Sequence, residues 1–409
     1  MKKITFIHAA DLHLDSPMLG LKQLPEPIIN RIQESTFLAF RKVIDAAVKY
    51  QVDFVILAGD LFDQADRSIR AQARLRKELE RLKECAIAAY IIHGNHDHLE
   101  GNWRHIHLPE NVYIFGPEVE VKAYTKKGVT ANLYGFSYGQ RHVYERMIDQ
   151  YEKREGADLH IGILHGHHEG SSEHGRYAPF QLKDLLEKDF DYWALGHIHK
   201  RELLNMSPPI VYPGNIQGRH RKETGMKGCY LVDLTSAGAD LHWVETSDIV
   251  WKEMSIITDH VMDFDQLYQL CLSLIEEERA TGLGKIITLT LEETRAEEWL
   301  DQTVMEELLE SLQEMEQAEE SFVWIRQITL KRPKSSYMQQ MDLTEQGGFF
   351  NELFQLVEED QQALVEKSIV ALKQNPLGRR YMDKLTEVEE EELLQESLEM
   401  LMHQLLTNK

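Results

Sequence analysis

The sequence predicts an α/β layered domain over residues 1–250, a small α+β domain over 251–331, a linker at 332–345 and a helical tail at 346–409. Three observations predict it. Apolar runs of strand length recur through the first 250 residues and alternate with stretches of helical spacing. Most of these runs end in Gly, Asp, Asn or His rather than in a bland turn. Past Trp251 the texture changes, since 17 of the 19 histidines lie before residue 250 and most of the net negative charge lies after it.

Taken in order, KITFIHAADLH begins as a strand and ends in polar residues. Residues 28–50 repeat Ile32, Phe37, Phe40, Ile44 and Val48 at helical spacing. VDFVILAGD is a continuous apolar run closed by Gly59 and Asp60, which suits a strand buried on both faces. Residues 67–84 read as a charged helix, with Arg67, Arg70, Arg74 and Arg76 on a solvated face. AAYIIHGNHD is the next strand, and VYIFG, NLYGFSY, LHIGILHG, YWALGHIH, PIVYPG and KGCYLVDL follow as further strands. In the second domain EMSIIT, a helix near 263–280, KIITLTLE, a helix near 295–320 and FVWIRQITL share a short sheet. RPKSSYMQQ reads as linker. The tail carries FFNELFQLVEED, QALVEKSIVALKQ, a stop at Asn375-Pro376-Leu377-Gly378, and a last acidic amphipathic helix over 383–406.

Composition narrows the class. The net charge is -23, split into 34 acidic against 31 basic residues before 251 and 34 against 14 after it. A general basic character for nucleic-acid binding is absent, so any polyanion is met by local patches, by metal ions or by a partner. No apolar run approaches the roughly 20 residues that span a bilayer, so no membrane association is expected. Cys85, Cys229 and Cys271 show neither metal spacing nor even pairing, which fits a reducing cytoplasm.

The polar groups at the strand ends are Asp11 and His13, Asp60, Asn95 and His96, His165, and His197 and His199. In such sheets ligands sit beyond the carboxyl ends of the strands. Carboxylate, imidazole and amide oxygen without thiolate favour a divalent ion such as manganese, iron or zinc. Several histidines with one shareable carboxylate can hold two ions about 3.5–4 Å apart. In Asp-x-His and His-x-His both side chains share one strand face. Singly, these residues have plainer readings: Asp60 as a helix cap, Asn95 as a turn residue, Asp63 as a loop carboxylate. His8, three residues before Asp11, faces away from it by parity and reads as a satisfied core or surface histidine. His93 reads as a packing residue, His98, His105 and His107 as loop residues, and His167 as a weak site candidate.

The order DLH, GDLFD, GNHD, LHGH, GHIH resembles the calcineurin-like metallophosphoesterase superfamily, with all five blocks present. HAADLHLDS at the start, GDLFD and the C-terminal additions are similar to the nuclease subunit of SbcCD-type complexes, and the acidic tail is most similar to the YhaO type of DNA-repair exonuclease. The resemblance covers residues 1–250 by motif and the remainder by architecture only. It implies a four-layer sandwich, helices flanking two mixed sheets, with a small cap domain and tail. It implies that Asp11, His13 and His199 hold one ion, that Asn95, His165 and His197 hold the other, and that Asp60 bridges them. The ions would be manganese, with iron or zinc as alternatives; they activate water and screen phosphate charge, so no protein nucleophile is needed. His96 would stand beside the leaving group and Asp63 would orient it. Some nucleases of the family carry a second histidine where this chain has Asp63, so that role does not carry over.

Arg219, Arg221 and Lys222 share the loop GRHRKETGMKG, where DNA phosphates could dock. Tyr and Trp are not interleaved with these charges, so a sequence-reading surface is not indicated. FFNELFQLV and LLQESLEMLMHQLL carry apolar side chains at helical spacing and fit either their own domain or a partner's helices. The resemblance points to an SMC-like ATPase of the SbcC or YhaN type as that partner and leaves a homodimer open. The expected function is metal-dependent DNA phosphodiester hydrolysis, exonucleolytic and in repair. Its rivals are a small-molecule phosphodiesterase or phosphatase, against which the cap and tail speak, and a non-catalytic assembly subunit, against which the full ligand set speaks.

Overall fold

A computed structural model describes residues 2–331, apart from 17, 19–20, 22–23, 64–67, 101–105, 127, 170–176, 259 and 293–299, together with Lys367, Ser368, Val370, Ser397 and Leu401. The elements of the first part run β1 (Lys3–Ala9), α1 (Glu26–Lys49), β2 (Phe54–Ala58), α2 (Ile69–Glu84), β3 (Ala88–Ile92), β4 (Val112–Ile114), β5 (Glu120–Lys126) and β6 (Val129–Gly135). A 3-10 turn (Met147–Gln150) follows, then β7 (Leu159–His165), α3 (Leu182–Glu187), β8 (Tyr192–Gly196), β9 (Glu202–Met206), β10 (Pro209–Tyr212), β11 (Gly228–Thr235) and β12 (Gly238–Glu245).

These strands make two six-stranded mixed sheets, ordered β12-β11-β1-β2-β3-β4 and β5-β6-β7-β8-β10-β9. β1 to β4 pair in parallel, and so do β6, β7, β8 and β10; antiparallel partners flank each set. Alternation along each strand sets the layers. Phe54, Ile56 and Ala58 of β2 face Leu159, Ile161 and Ile163 of β7 across the gap between the sheets. Val55 and Leu57 point the other way, onto Phe37, Phe40 and Ile44 of α1 and Leu75 and Leu79 of α2. On the far side of the second sheet, Leu164, Trp193 and Leu195 pack against Met147, Ile148, Leu185 and Phe190. The result is the expected sandwich, helices outside two face-to-face sheets. Each central strand is covered on both faces, which is why it reads as an unbroken apolar run.

The sequence reading missed β5, β9 and β12, which are all edge strands of the two sheets. Their residues are mostly half-buried or exposed, so no apolar run marks them. α2 begins at Ile69, capped by Ser68 Oγ accepting from Ala71 N at 2.9 Å, two residues later than expected; Arg67 lies outside the described residues.

The second part runs β13 (Ile249–Ile257), α4 (Phe264–Glu278), β14 (Gly284–Glu292), α5 (Gln302–Glu316) and β15 (Val323–Lys331). β13 starts before the expected boundary at residue 251. All pairings in this sheet are parallel, so the expected alternation of strands and helices forms a βαβαβ unit, which narrows the α+β reading. Leu267, Cys271, Leu308 and Leu312 of the helices cover one face of it. Ile249, Trp251, Ile286 and Trp324 on the other face pack on Met18 and on Ile28 and Ile32 of α1. The described residues from 2 to 331 form one compact unit. The linker at 332–345 lies outside the described residues, and of the tail only Lys367, Ser368, Val370, Ser397 and Leu401 are described, each in a helical conformation. Among the described residues no helix is long and apolar enough to cross a membrane.

Candidate metal centre

Five loops meet where β1, β2, β3, β7 and β8 end, three from one sheet and two from the other. The loop after β1 runs alongside the loop after β2, with Asp11 N, His13 N and Leu14 N donating to Gly59 O, Asp60 O and Leu61 O at 3.1, 3.0 and 2.9 Å. The loop after β8 joins them: His197 N donates to the Asp11 carboxylate at 3.0 Å. Asp97 ties in the loop after β3, accepting from Gly94 N at 2.7 Å and Leu61 N at 2.9 Å and sitting 2.8 Å from His93 Nδ1. Asp11, His13, Asp60 and His197 all have positive φ, at 51°, 42°, 50° and 102°. Such strain in non-glycine residues persists only where the surroundings over-determine it, and it gathers at functional sites. Gly59, at φ +91°, and Gly94 give the site its density: a Cβ on Gly59 would lie 2.2 Å from His165 Nδ1, and one on Gly94 2.3 Å from Asp60 Oδ1.

Three overlapping groups result, Asp11 with His13 and His199, Asp11 with Asp60 and His165, and His13 with Asp63 and His96; within each, ligand atoms lie within 4.8 Å of one another. His13 Nε2 is 3.1 Å from His199 Nε2 and 3.8 Å from Asp60 Oδ2. His165 Nε2 is 3.4 Å from Asp60 Oδ2 and 3.2 Å from Asn95 Oδ1. The Asp60 carboxylate therefore stands between two imidazoles. His197 packs beside His165, ring centroids 5.2 Å apart, and belongs to none of the three groups. Outer partners fix which nitrogen points inward: His165 Nδ1 is 3.0 Å from Ala58 O and His199 Nδ1 is 2.6 Å from Glu223 Oε1, leaving Nε2 of each for the centre. His96 stands to one side, its Nδ1 3.0 Å from Asp63 Oδ1, and Asp63 also accepts from Ser16 Oγ at 2.7 Å.

The charges are arranged for a cation. Burial raises the Asp11 carboxyl, and His199 and His165 only partly offset it. Burial acts the same way on Asp60, but His165, His96 and His13 outweigh it and hold that carboxyl well below its usual range. Burial would lower the His165 imidazole, yet Asp60 and Asp11 lift it to about 9. His13 and His199 are lowered, by burial first and by the nearby Arg219 as well. Two neutral imidazole nitrogens 3.1 Å apart need a shared proton or a cation between them. Asp11 and Asp60, 0% and 1% exposed, are costly to bury without opposite charge. Hard carboxylate oxygens and imidazoles, with no thiolate, fit a divalent ion.

The remaining sequence candidates sort themselves plainly. Arg219 turns inward, away from its expected place among exposed loop cations: its Nη1 lies 3.1 Å from Ser16 Oγ and 3.2 Å from Oδ2 of the half-buried Asp63. Arg221 and Lys222 are exposed. His8 is a buried core residue, 3.0 Å from Tyr192 OH and 3.1 Å from Leu195 O. His167 is buried with its ring 6.4 Å from that of His197, His98 is half-buried, His107 is exposed, and His105 lies outside the described residues. Glu223 was missed, and Asp97, within the GNHD block, was given no role of its own. Glu223 holds His199 and accepts from Arg219 N at 2.7 Å and Asn215 Nδ2 at 2.9 Å, but it sits in a basic loop that gives no sign of this.

Residues 4–201 match the family described as calcineurin-like phosphoesterase. The chain is 42% identical over 408 residues, 98% of each chain, to "Uncharacterized metallophosphoesterase YhaO" of Bacillus subtilis. More distant relatives include proteins named "DNA double-strand break repair protein Mre11": that of Sulfurisphaera tokodaii, 27% identical over 63% of this chain and 66% of its own, and that of Saccharolobus solfataricus, 25% identical over 71% and 76%. A likeness of 42% along nearly the whole length leaves little room for another ancestry, and the chain belongs to the calcineurin-like phosphoesterase family, hydrolases of phosphate esters that bind divalent metals.

Proposed function

We propose that this chain hydrolyses DNA phosphodiester bonds with two divalent ions, manganese first among them, as the exonuclease subunit of a repair complex with an SMC-like ATPase. The observation that carries the reading is the Asp60 carboxylate between His13 and His165, at 3.8 and 3.4 Å. Asp11, His13 and His199 would hold one ion, Asn95, His165 and His197 the other, with Asp60 shared. Ions bound there supply Lewis acidity to the phosphoryl group and a water of lowered pKa.

The chain's own residues do the rest. Burial would lower His96, but Asp63 and Asp60 outweigh it, so the imidazole keeps its proton more readily than usual. Asp63 holds Nδ1, which leaves Nε2 to give a proton to the leaving oxygen. Arg219 braces Asp63, and Glu223 keeps His199 turned inward. Arg221 and Lys222, exposed in the same loop, are the side chains offered to backbone phosphates.

DNA as substrate is supported by the likeness to the archaeal double-strand break repair proteins. A partner on the tail is supported by the concentration of acidic residues after 250. The test is purified protein with Mn²⁺, assayed side by side on linear DNA, a small aryl phosphodiester and a phosphomonoester. Release of nucleotides from DNA ends is expected. Cleavage of the small diester with intact DNA would make the chain a small-molecule phosphodiesterase.

A further inference from the structure

A cluster of aromatic rings leads outward from the metal centre. The Tyr177 ring lies 5.9 Å from the His197 ring, edge-on at 75°. His142 stacks on Tyr177 at 5.2 Å and 30°, and Tyr144 lies parallel to His142 at 5.9 Å and 13°. Tyr144 and Tyr177 are themselves 5.8 Å apart. Burial falls along the way: His197 is buried, Tyr177 half-buried, and Tyr144 is 64% exposed.

The loop beneath is anchored in the core. Val143, between the two outer rings, is buried in the core of the second sheet's outer face with Tyr138 and Trp193. Its carbonyl accepts from Ala178 N at 2.7 Å, which locks the 142–144 loop to the chain beside Tyr177. The packing of this core does not call for Tyr144, since most of that side chain meets solvent. Arg141 is exposed and lies near enough to Tyr177 to act on its hydroxyl electrostatically.

We propose that Tyr144, His142 and Tyr177 form a platform on which an unpaired nucleobase stacks while its strand's phosphate lies at the metal centre, with Arg141 beside the backbone. This rests on the DNA reading above and adds a substrate preference to it. Aromatic faces next to a cation suit single strands, because every base offers a π-face and stacking is indifferent to sequence. Bases within a duplex are already stacked on one another, so the platform selects single-stranded or frayed ends. The rings are prepositioned, so little ordering opposes binding.

The test compares wild type, Tyr144→Ala and Tyr144→Phe with Mn²⁺ on three substrates: a single-stranded oligonucleotide, the same strand with abasic sites at its end, and a small aryl phosphodiester. For Tyr144→Ala, KM on the normal strand should rise about tenfold, equivalent to about 1.4 kcal/mol, within the range for one base stacked on one ring. Tyr144→Phe should match wild type. On the abasic strand wild type should itself be weak, and the alanine variant no weaker. The aryl diester should be cleaved equally by all three. An unchanged KM on the normal strand overturns the platform and leaves the DNA reading standing. An equal rise on abasic and normal strands, or loss of aryl diester cleavage, makes Tyr144 a structural residue and overturns it too. No DNA cleavage by wild type, with the aryl diester still cleaved, overturns both readings.

Discussion

Gly59→Ala adds one methyl group where the site has no room for it. The new Cβ would lie 2.2 Å from His165 Nδ1 and 2.7 Å from its Cγ, where ordinary contact begins at 3.4 Å. The ring must therefore retreat by about 1.2 Å. It cannot do so and keep its 3.0 Å contact with Ala58 O, so both the orientation of His165 and the 3.2 Å approach of its Nε2 to Asn95 are lost. A lost outer partner typically costs about 10–100-fold in metal affinity. A separate cost is conformational: alanine at a left-handed φ is worse than glycine by about 1–2 kcal/mol. Gly128→Ala separates the two effects, because Gly128 is also at positive φ, +76°, but its Cβ would meet nothing within 4 Å. The assay is a Mn²⁺ titration of aryl diester hydrolysis, run beside thermal melting. Gly59→Ala should need about 10–100-fold more Mn²⁺ for half-maximal rate, while Gly128→Ala should melt earlier with an unaltered Mn²⁺ requirement. A folded Gly59→Ala protein with wild-type Mn²⁺ dependence would refute the reasoning.

Three further outcomes are expected. His96→Ala should keep its metal content while hydrolysis falls by about 10²–10⁴-fold, the usual range for a lost proton donor; loss of metal by elemental analysis would make His96 a ligand instead. His8 titrates in the opposite sense from a paired histidine: burial lowers it to about 3, against 6.5 unfolded, so its contribution is complete above pH 6.5 and lost as pH falls towards 3. The slope is at most about 1.4 kcal/mol per pH unit, and urea unfolding between pH 4 and 6.5 should be visibly less pH-dependent in His8→Gln; an equal slope contradicts it. Removal of residues 341–409 should leave cleavage of the aryl diester nearly intact and abolish co-purification with an SMC-like ATPase, whereas retained binding would place the handle elsewhere.

The legible parts of this fold are the ones that are buried twice. β2, β3, β7 and β8 are covered on both faces, so VDFVILA, AAYII, LHIGILH and YWALG stand out, and the polar residues that follow each run are conspicuous for the same reason. β5, β9 and β12 are sheet edges with mixed exposure, and their polar sequences are not distinguishable from loops. At the site the histidines were legible because a bland turn has no use for them, and Asp11, Asp60 and Asn95 because they stand with them in five ordered blocks at strand ends. Glu223 and the inward turn of Arg219 were not, because their meaning lies in contacts with Asp63 and His199 that only the folded chain creates. The cluster of Tyr144 and Tyr177 was hidden for the same reason, since distant stretches of the chain supply its rings. The parallel pairing in the last sheet follows from its strand–helix–strand order, which already favours crossovers over hairpins.

The central claim is that Asp60 holds two ions side by side, and metal counting tests it most directly. Wild-type protein and Asp60→Ala are loaded with Mn²⁺, desalted, and measured for manganese per chain by elemental analysis, with circular dichroism to verify that both are folded. The account predicts two ions per chain in wild type and a loss from both positions in Asp60→Ala, along with aryl diester hydrolysis. Two ions retained by the folded variant, or a single ion in active wild type, would contradict it.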